Sequence, residues 1–134
     1  MAISAMRFET AITKLIVVMG LLASLFGCSK APDADEAVIV QLRKAGSDLT
    51  KPHAIEFYLY FPSESAAGQA ATRIRQMGFQ ADVSPGAQGE PWLCLGTKKV
   101  IPALTTIRAI TRDLNALAKS LAGEYDGWEA KVEK

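Results

Sequence analysis

The sequence predicts an α+β domain over residues 36–134: a small sheet with helices packed on one face. Three observations carry the prediction. Residues 55–61 and 92–100 are dense in β-branched, aromatic and aliphatic side chains, the composition of strands. Residues 34–45, 64–77 and 102–122 repeat apolar positions at helical spacing. Gly46, Pro62, Gly78 and Gly123 separate these runs at the points where helices and strands stop.

Each element has its own local signal. In residues 34–45 the apolar positions Val38, Leu42 and Ala45, with Leu49 beyond, lie on one stripe. Asp33 or Asp35 suits the N-cap, and Arg43 and Lys44 suit the negative end of the helix dipole. The Lys51-Pro52-His53 segment then forces an extended link. In residues 55–61, Ile55, Phe57, Leu59 and Phe61 share one face, while Glu56, Tyr58 and Tyr60 share the other. Ser63 or Ser65 caps the next helix, whose stripe is Ala67, Ala70, Ala71, Ile74 and Met77. Residues 79–84 alternate, with Phe79, Ala81 and Val83 against Gln80, Asp82 and Ser84, and a turn cluster over 85–91 leads into the strand 92–100. Those two runs are expected to pair as a hairpin. Pro102 opens the longest helix, with Leu104, Ile107, Ile110, Leu114, Leu117 and Leu121 on its stripe, and residues 124–132 supply an edge strand. The order is one extra N-terminal helix followed by β-α-β-β-α-β, the ferredoxin-like split βαβ sandwich. Its expected core face is Ile55, Phe57, Leu59, Phe61, Phe79, Ala81, Val83, Leu93 and Leu95.

Residues 1–27 have the order of an export signal. Arg7 and Lys14 precede twelve uncharged residues, 15–26, which end at small Gly27 and then Cys28. A basic end, an apolar middle of about 7–15 residues and a small residue before the cut define a secretory signal. The run is short of the roughly 18–20 apolar residues a bilayer span needs. Cysteine directly after the small residue makes the stretch Leu25-Phe26-Gly27-Cys28 a bacterial lipobox, with Cys28 acylated as the first mature residue. Residues 1–27 are thus expected to be a lipoprotein signal peptide, 28–35 a lipid-attached tether and 36–134 the folded domain. A lipid on Cys28 would hold that domain to a membrane on the periplasmic side, and Ser29 in the following position favours the outer membrane over the inner.

Charge and residue inventory exclude several functions. Of 15 basic and 14 acidic side chains, Arg7, Lys14 and Glu9 precede Cys28, which leaves thirteen of each after it. A neutral domain lacks the footprint of a direct nucleic-acid binder. Cys94 has no partner beyond Cys28, so no disulfide framework is expected, and its apolar surroundings suit a small buried hydrophobe. His53, the single histidine, reads as a linker residue beside Pro52. It offers neither a metal cluster nor a dyad with a credible nucleophile, so no catalytic residue, metal or cofactor is expected.

The second sheet face holds more promise. Tyr58, Tyr60 and Trp92 are expected to point the same way there, with Trp128 nearby. Three accounts of this aromatic group are open. The helix of residues 34–45 folds across it; or it is a partner-binding surface, since Tyr and Trp are enriched at interfaces; or it stacks RNA bases.

Several stretches resemble the ribonuclease E inhibitor B (RraB-like) family. They are Gln41-Leu42-Arg43-Lys44-Ala45-Gly46-Ser47-Asp48, Lys51-Pro52-His53 before Glu56-Phe57-Tyr58, Met77-Gly78-Phe79, Pro102 at the start of the long helix, and above all the closing Gly123-Glu124-Tyr125-Asp126-Gly127-Trp128-Glu129. The resemblance spans most of residues 36–132. It implies a ferredoxin-like α+β sandwich with no enzymatic activity, which binds the regulatory C-terminal part of ribonuclease E and slows RNA turnover. Ribonuclease E lies on the cytoplasmic side, so it is the implied partner only if the chain stays there. An exported, lipid-anchored form would have an envelope protein as its partner.

Overall fold

The computed structural model describes residues 33–87 and 91–134. The signal-like run, Cys28 and most of the expected tether lie outside these residues. Seven elements follow in order: α1 (Ala34–Lys44), β1 (His53–Phe61), α2 (Glu64–Gln76), β2 (Gln80–Ser84), β3 (Trp92–Val100), α3 (Leu104–Ser120) and β4 (Glu124–Ala130). The strands form one sheet in the order β2-β3-β1-β4, each neighbouring pair antiparallel. This is the α+β, ferredoxin-like arrangement with one helix added at the N-terminal side.

Local chemistry sets the boundaries. The Asp33 carboxylate accepts from the Glu36 N–H at 2.9 Å and caps α1, so Ala34 and Asp35 belong to the helix rather than to a tether. Ser63 Oγ accepts from the Ala66 N–H at 3.1 Å and caps α2. The α1 and α2 ends close over Gly46 and Gly78, at φ +92° and +94°, with Ser47 N–H donating to Leu42 O and Phe79 N–H to Ile74 O. At the end of α3 the same closure, Gly123 N–H to Ala118 O at 2.8 Å, places Ala122 rather than a glycine at positive φ, +62°. Gly123 is needed for a different reason. A Cβ there would stand 2.3 Å from a Phe61 ring carbon and 2.5 Å from the Tyr60 carbonyl oxygen.

The core lies between the sheet and the helices. Ile55, Phe57, Leu59 and Phe61 are fully buried, as are Ala67, Ala70, Ile74, Ile107 and Leu114. Phe57 and Phe79 meet edge to face, 5.5 Å between centroids. The alanines of α2 let that helix approach closely, and Ile74 reaches to where a Gly96 Cβ would stand, 2.9 Å away. Met77, expected on this stripe, is instead the exposed C-cap of α2, its carbonyl accepting from Lys98 Nζ.

Two sequence expectations about the sheet are corrected. The register pairs Phe61 with Trp92, Leu59 with Cys94 and Phe57 with Gly96. Directly opposed residues share a face, so Trp92 and Cys94 join the helix-covered side while Leu93 and Leu95 take the other. Trp92-Leu93-Cys94-Leu95 is apolar at every position, so it carries no alternation to read; close packing of Ile74 and Phe79 over Gly96 decides the face. The other correction concerns α1. It does not cross the second sheet face. It lies on the helical side against α3 and β4, with Val38, Ile39 and Leu42 in the core.

Candidate functional site

No described helix crosses the second face of the sheet. Four cross-strand rows can be followed on it from the register. They are Tyr60 with Leu93, Ser84 and Glu124; Tyr58 with Leu95, Asp82 and Gly127; Glu56 with Thr97, Gln80 and Glu129; and Ala54 with Lys99. Lys131 follows β4 at the last row's end. An apolar and aromatic middle, Tyr58, Tyr60, Leu93 and Leu95, is thus bordered by acids on both sheet edges. Tyr58 and Leu93 are buried, each 7% exposed, and Tyr60 and Leu95 are half-buried.

Tyr58 organises one end of this face. Its hydroxyl lies 2.9 Å from Glu129 Oε2 and 3.2 Å from Glu56 Oε1. Glu56 and Glu129 are directly opposed across β1 and β4, where two like charges ordinarily repel. The phenol has one proton to share between two carboxylates. Burial, then the charges of Glu129 and Glu56, push its pKa well above the ordinary phenol range. Tyr58 is therefore a permanent neutral donor. A small cleft of about 130 Å³ opens beside the pair, lined by Ala54, Glu56, Thr97, Glu129, Ala130 and Lys131.

The sequence-derived aromatic set divides between the two faces. Tyr58 and Tyr60 stand together on the second face. Trp92 and Trp128 pair with Phe61 and Phe57 and pack on the core side. Trp128 is 3% exposed, and its indole Nε1–H donates to Asp35 Oδ1 at 3.0 Å. Asp35 also accepts from Thr111 Oγ1 at 3.1 Å, and Thr111 lies 3.4 Å from the Tyr125 hydroxyl. This network ties α1, α3 and β4 into one unit. A register shift between Tyr58 and Leu59 places a bulge in β4 opposite them, with Gly127 at φ +110°. The bulge inserts one residue and lets both Tyr125 and Trp128 face the helices.

His53 is the residue that sequence reasoning placed least well. It is the first residue of β1 and fully buried. Its Nδ1 lies 2.8 Å from the Lys51 carbonyl, which makes Nδ1 the protonated nitrogen, and Ser47 Oγ donates to Nε2 at 2.6 Å. Ser47 Oγ in turn accepts from the Glu133 N–H at 2.9 Å, and Asp48 N–H donates to the Glu133 carbonyl at 2.6 Å. A serine and histidine within hydrogen-bonding reach are thus present, although the sequence showed no partner for the histidine. Both are sealed, Ser47 at 9% exposure and His53 at none, and the hydroxyl is committed to Glu133. The pair is a clasp between the α1–β1 loop and the segment after β4. Its only sequence signal was Ser47 and His53 flanking a Pro-containing link.

Cys94 is buried beneath the helices, and burial pushes its thiol up to about 11, which leaves it protonated and unreactive at neutral pH. A groove of about 260 Å³ lies between α1 and the start of α3, lined by Ile39, Val40, Leu49, Pro102 and Leu104, with Glu36 and Arg43 at its rim. Among the described residues no three His, Cys, Asp or Glu side chains are grouped to hold a metal, and no helix is long and apolar enough to cross a membrane.

The family model described as "Regulator of ribonuclease activity B" matches residues 32–130. The match runs through all seven described elements and includes the second sheet face. No curated protein matches the chain.

Proposed function

The chain belongs to the regulator of ribonuclease activity B family, and on that premise we propose that it is a non-catalytic regulator that acts by binding another protein. The contact surface is the second sheet face around Tyr58 and Tyr60, which no described helix crosses, and an acyl chain on Cys28 holds the domain to a membrane. The observation that carries this reading is the face itself: a half-buried aromatic and aliphatic patch in a sheet whose other side alone is packed by described helices. Tyr is enriched at protein interfaces, where its ring packs and its hydroxyl stays polar. The lipid anchor is supported by Leu25-Phe26-Gly27-Cys28 at the end of an apolar run of signal-peptide length. Stable attachment needs two or more acyl chains, since one gives only marginal binding.

In a second reading the chain stays in the cytoplasm and its partner is ribonuclease E; the family description, a regulator of ribonuclease activity, supports a ribonuclease as partner. Two measurements separate the readings. Mass spectrometry of the N-terminal peptide from fractionated cells reports either an acylated Cys28 or an unmodified Met1. A photo-crosslinking side chain at position 60 then reports the partner, and the same probe at exposed Gln69 on α2 serves as control. Acylated Cys28 with crosslinks from position 60 to an envelope protein supports the first reading. Met1 with crosslinks to ribonuclease E supports the second. Crosslinks from position 69 alone would refute the assignment of the sheet face.

A further inference from the structure

Two strands are buried on both sides, although described helices cover only one. Trp128, Glu129 and Ala130 are consecutive in β4 and each 3% exposed, and Phe57, Tyr58 and Leu59 are consecutive and buried in β1. Successive side chains of a strand point to opposite faces, so Tyr58 and Glu129 are shielded on the second face, as Leu93 is. A sheet with one face in water leaves that face solvated, and β4 is an edge strand, where a glutamate ordinarily stays in water. The face is also fit to be covered. Its middle is apolar, and among the described residues no buried side-chain nitrogen or oxygen lacks a partner, Glu129 having the Tyr58 hydroxyl.

No described segment supplies the cover. The residues after β4 run to the α1–β1 loop, where Glu133 meets Ser47 and Asp48, and the Lys134 carbonyl meets Lys51 Nζ. The hairpin tip between Ala87 and Pro91 adjoins Trp92, and Trp92 is five residues, about 17 Å, along β3 from Thr97, which shares a row with Glu56 and Glu129. The chain before Asp33 remains. It enters α1 beside β4, since Asp35 holds the Trp128 indole, and six extended residues, 27–32, reach about 20 Å, enough to round that edge. Before them come residues 15–26, twelve in a row without a charge. Even at the compact rise of a helix, twelve residues span about 18 Å, against about 14 Å from β2 to β4.

From this burial, and resting on the reading of Cys28 as the acylated first residue of the mature chain, we propose that residues 15–26 lie on the second sheet face in the uncleaved chain, and that the cut before Cys28 removes them and opens the face. The contact is apolar on apolar, with the run against Tyr58, Tyr60, Leu93 and Leu95. The segment that directs export thereby keeps the binding face shut until export is complete, and a partner meets that face only on the processed form.

Maleimide labelling of Tyr60→Cys, read by mass in native cell extracts, tests this. Cys94 is buried and labels only on unfolding, so it reports within each sample that the fold is intact. Position 60 should label about tenfold faster in the chain that begins at acylated Cys28 than in the uncleaved Cys28→Ala chain. In the uncleaved chain, Leu21→Lys with Leu22→Lys should restore the fast rate, because buried ammonium groups would be driven back to water, while Gln69→Cys on α2 should label equally in all three forms. A photo-crosslinking side chain at position 60 of the uncleaved chain should attach to residues 15–26 of the same molecule, and it decides the matter if the lysine variant unfolds and exposes Cys94. Equal labelling of the processed and uncleaved chains, a rate that the two lysines leave unchanged, or crosslinks that join only separate molecules would overturn the proposal. Failure of the underlying reading shows separately, at the N-terminus: an unmodified Met1 in the native protein removes the anchor and the opening step, whereas an acylated Cys28 with equal labelling removes the cover alone.

Discussion

The bond between Trp128 and Asp35 permits a quantitative test of how the added helix is held. Asp35→Ala removes the acceptor of two donors, the Trp128 indole N–H at 3.0 Å and the Thr111 hydroxyl at 3.1 Å. Thr111 retains the Tyr125 hydroxyl as a neighbour at 3.4 Å. Trp128 is 3% exposed, so its N–H would be left buried with neither Asp35 nor water, at a cost of about 1–3 kcal/mol. Trp128→Phe removes the donor and part of the ring's packing, a loss of similar size. In the double variant no donor is stranded, so its cost should fall below the sum of the singles by about 1–2 kcal/mol. Urea denaturation followed by circular dichroism measures all four stabilities. Additivity within about 0.3 kcal/mol would refute the argument. A pH series adds a sign. Burial outweighs the hydrogen bonds from Trp128 and Thr111 and raises the Asp35 pKa above its ordinary value. The folded state therefore holds this proton more tightly than the unfolded chain. Its contribution is fully present below the unfolded pKa and is lost as pH rises through the folded one. Asp35→Asn keeps an acceptor for Trp128 without the charge. Its stability should thus gain on the native protein as pH rises from acid to neutral, and a gap that stays flat or moves the other way would refute the assignment.

Three further outcomes follow from geometry. At the end of α3, Ala122→Gly should stabilise the domain by about 0.5–1 kcal/mol by removing a left-handed alanine, whereas Gly123→Ala, one residue on, should destabilise it by about 3 kcal/mol or more through collision with Phe61 and the Tyr60 carbonyl; thermal melts of the two variants must move in opposite directions. Cys94, buried with its thiol pushed up to about 11, should react with a maleimide only after denaturant is added, and prompt labelling of the native protein would contradict its placement. Ser47→Ala should cost about 1–2 kcal/mol and selectively speed amide hydrogen exchange at Glu133, whose N–H it leaves without its acceptor; unchanged exchange there would show that the clasp does not hold that segment.

The elements were legible wherever a period or a punctuating residue was present. Val38 and Leu42, the alanine stripe of α2 and the run from Ile107 to Leu117 each repeat with the helix, and Gly46, Gly78 and the Ser63 cap stop and start the chain where a backbone angle or an unpaired N–H requires them. Alternation in β1 placed Tyr58 and Tyr60 away from the core. The same reasoning failed in β3, because four consecutive apolar residues satisfy either face equally, and only the packing of Ile74 and Phe79 over Gly96 made the choice. At Gly123 the glycine does mark the helix end, but it is a neighbouring ring rather than a backbone angle that requires it.

The chain by itself determined the number and order of elements, because these depend on interactions between residues a few positions apart: hydrophobic period, caps, and turns that only certain backbones can make. Tertiary structure decided which side of β3 is buried, that α1 joins the helices rather than crossing the sheet, that Ser47 meets both His53 and Glu133, and that Trp128 is buried with its indole N–H on Asp35. Each of those outcomes joins residues distant in sequence or adjoining elements, where no local period bears on the contact and the choice falls to which arrangement fills space and leaves no buried polar group without a partner.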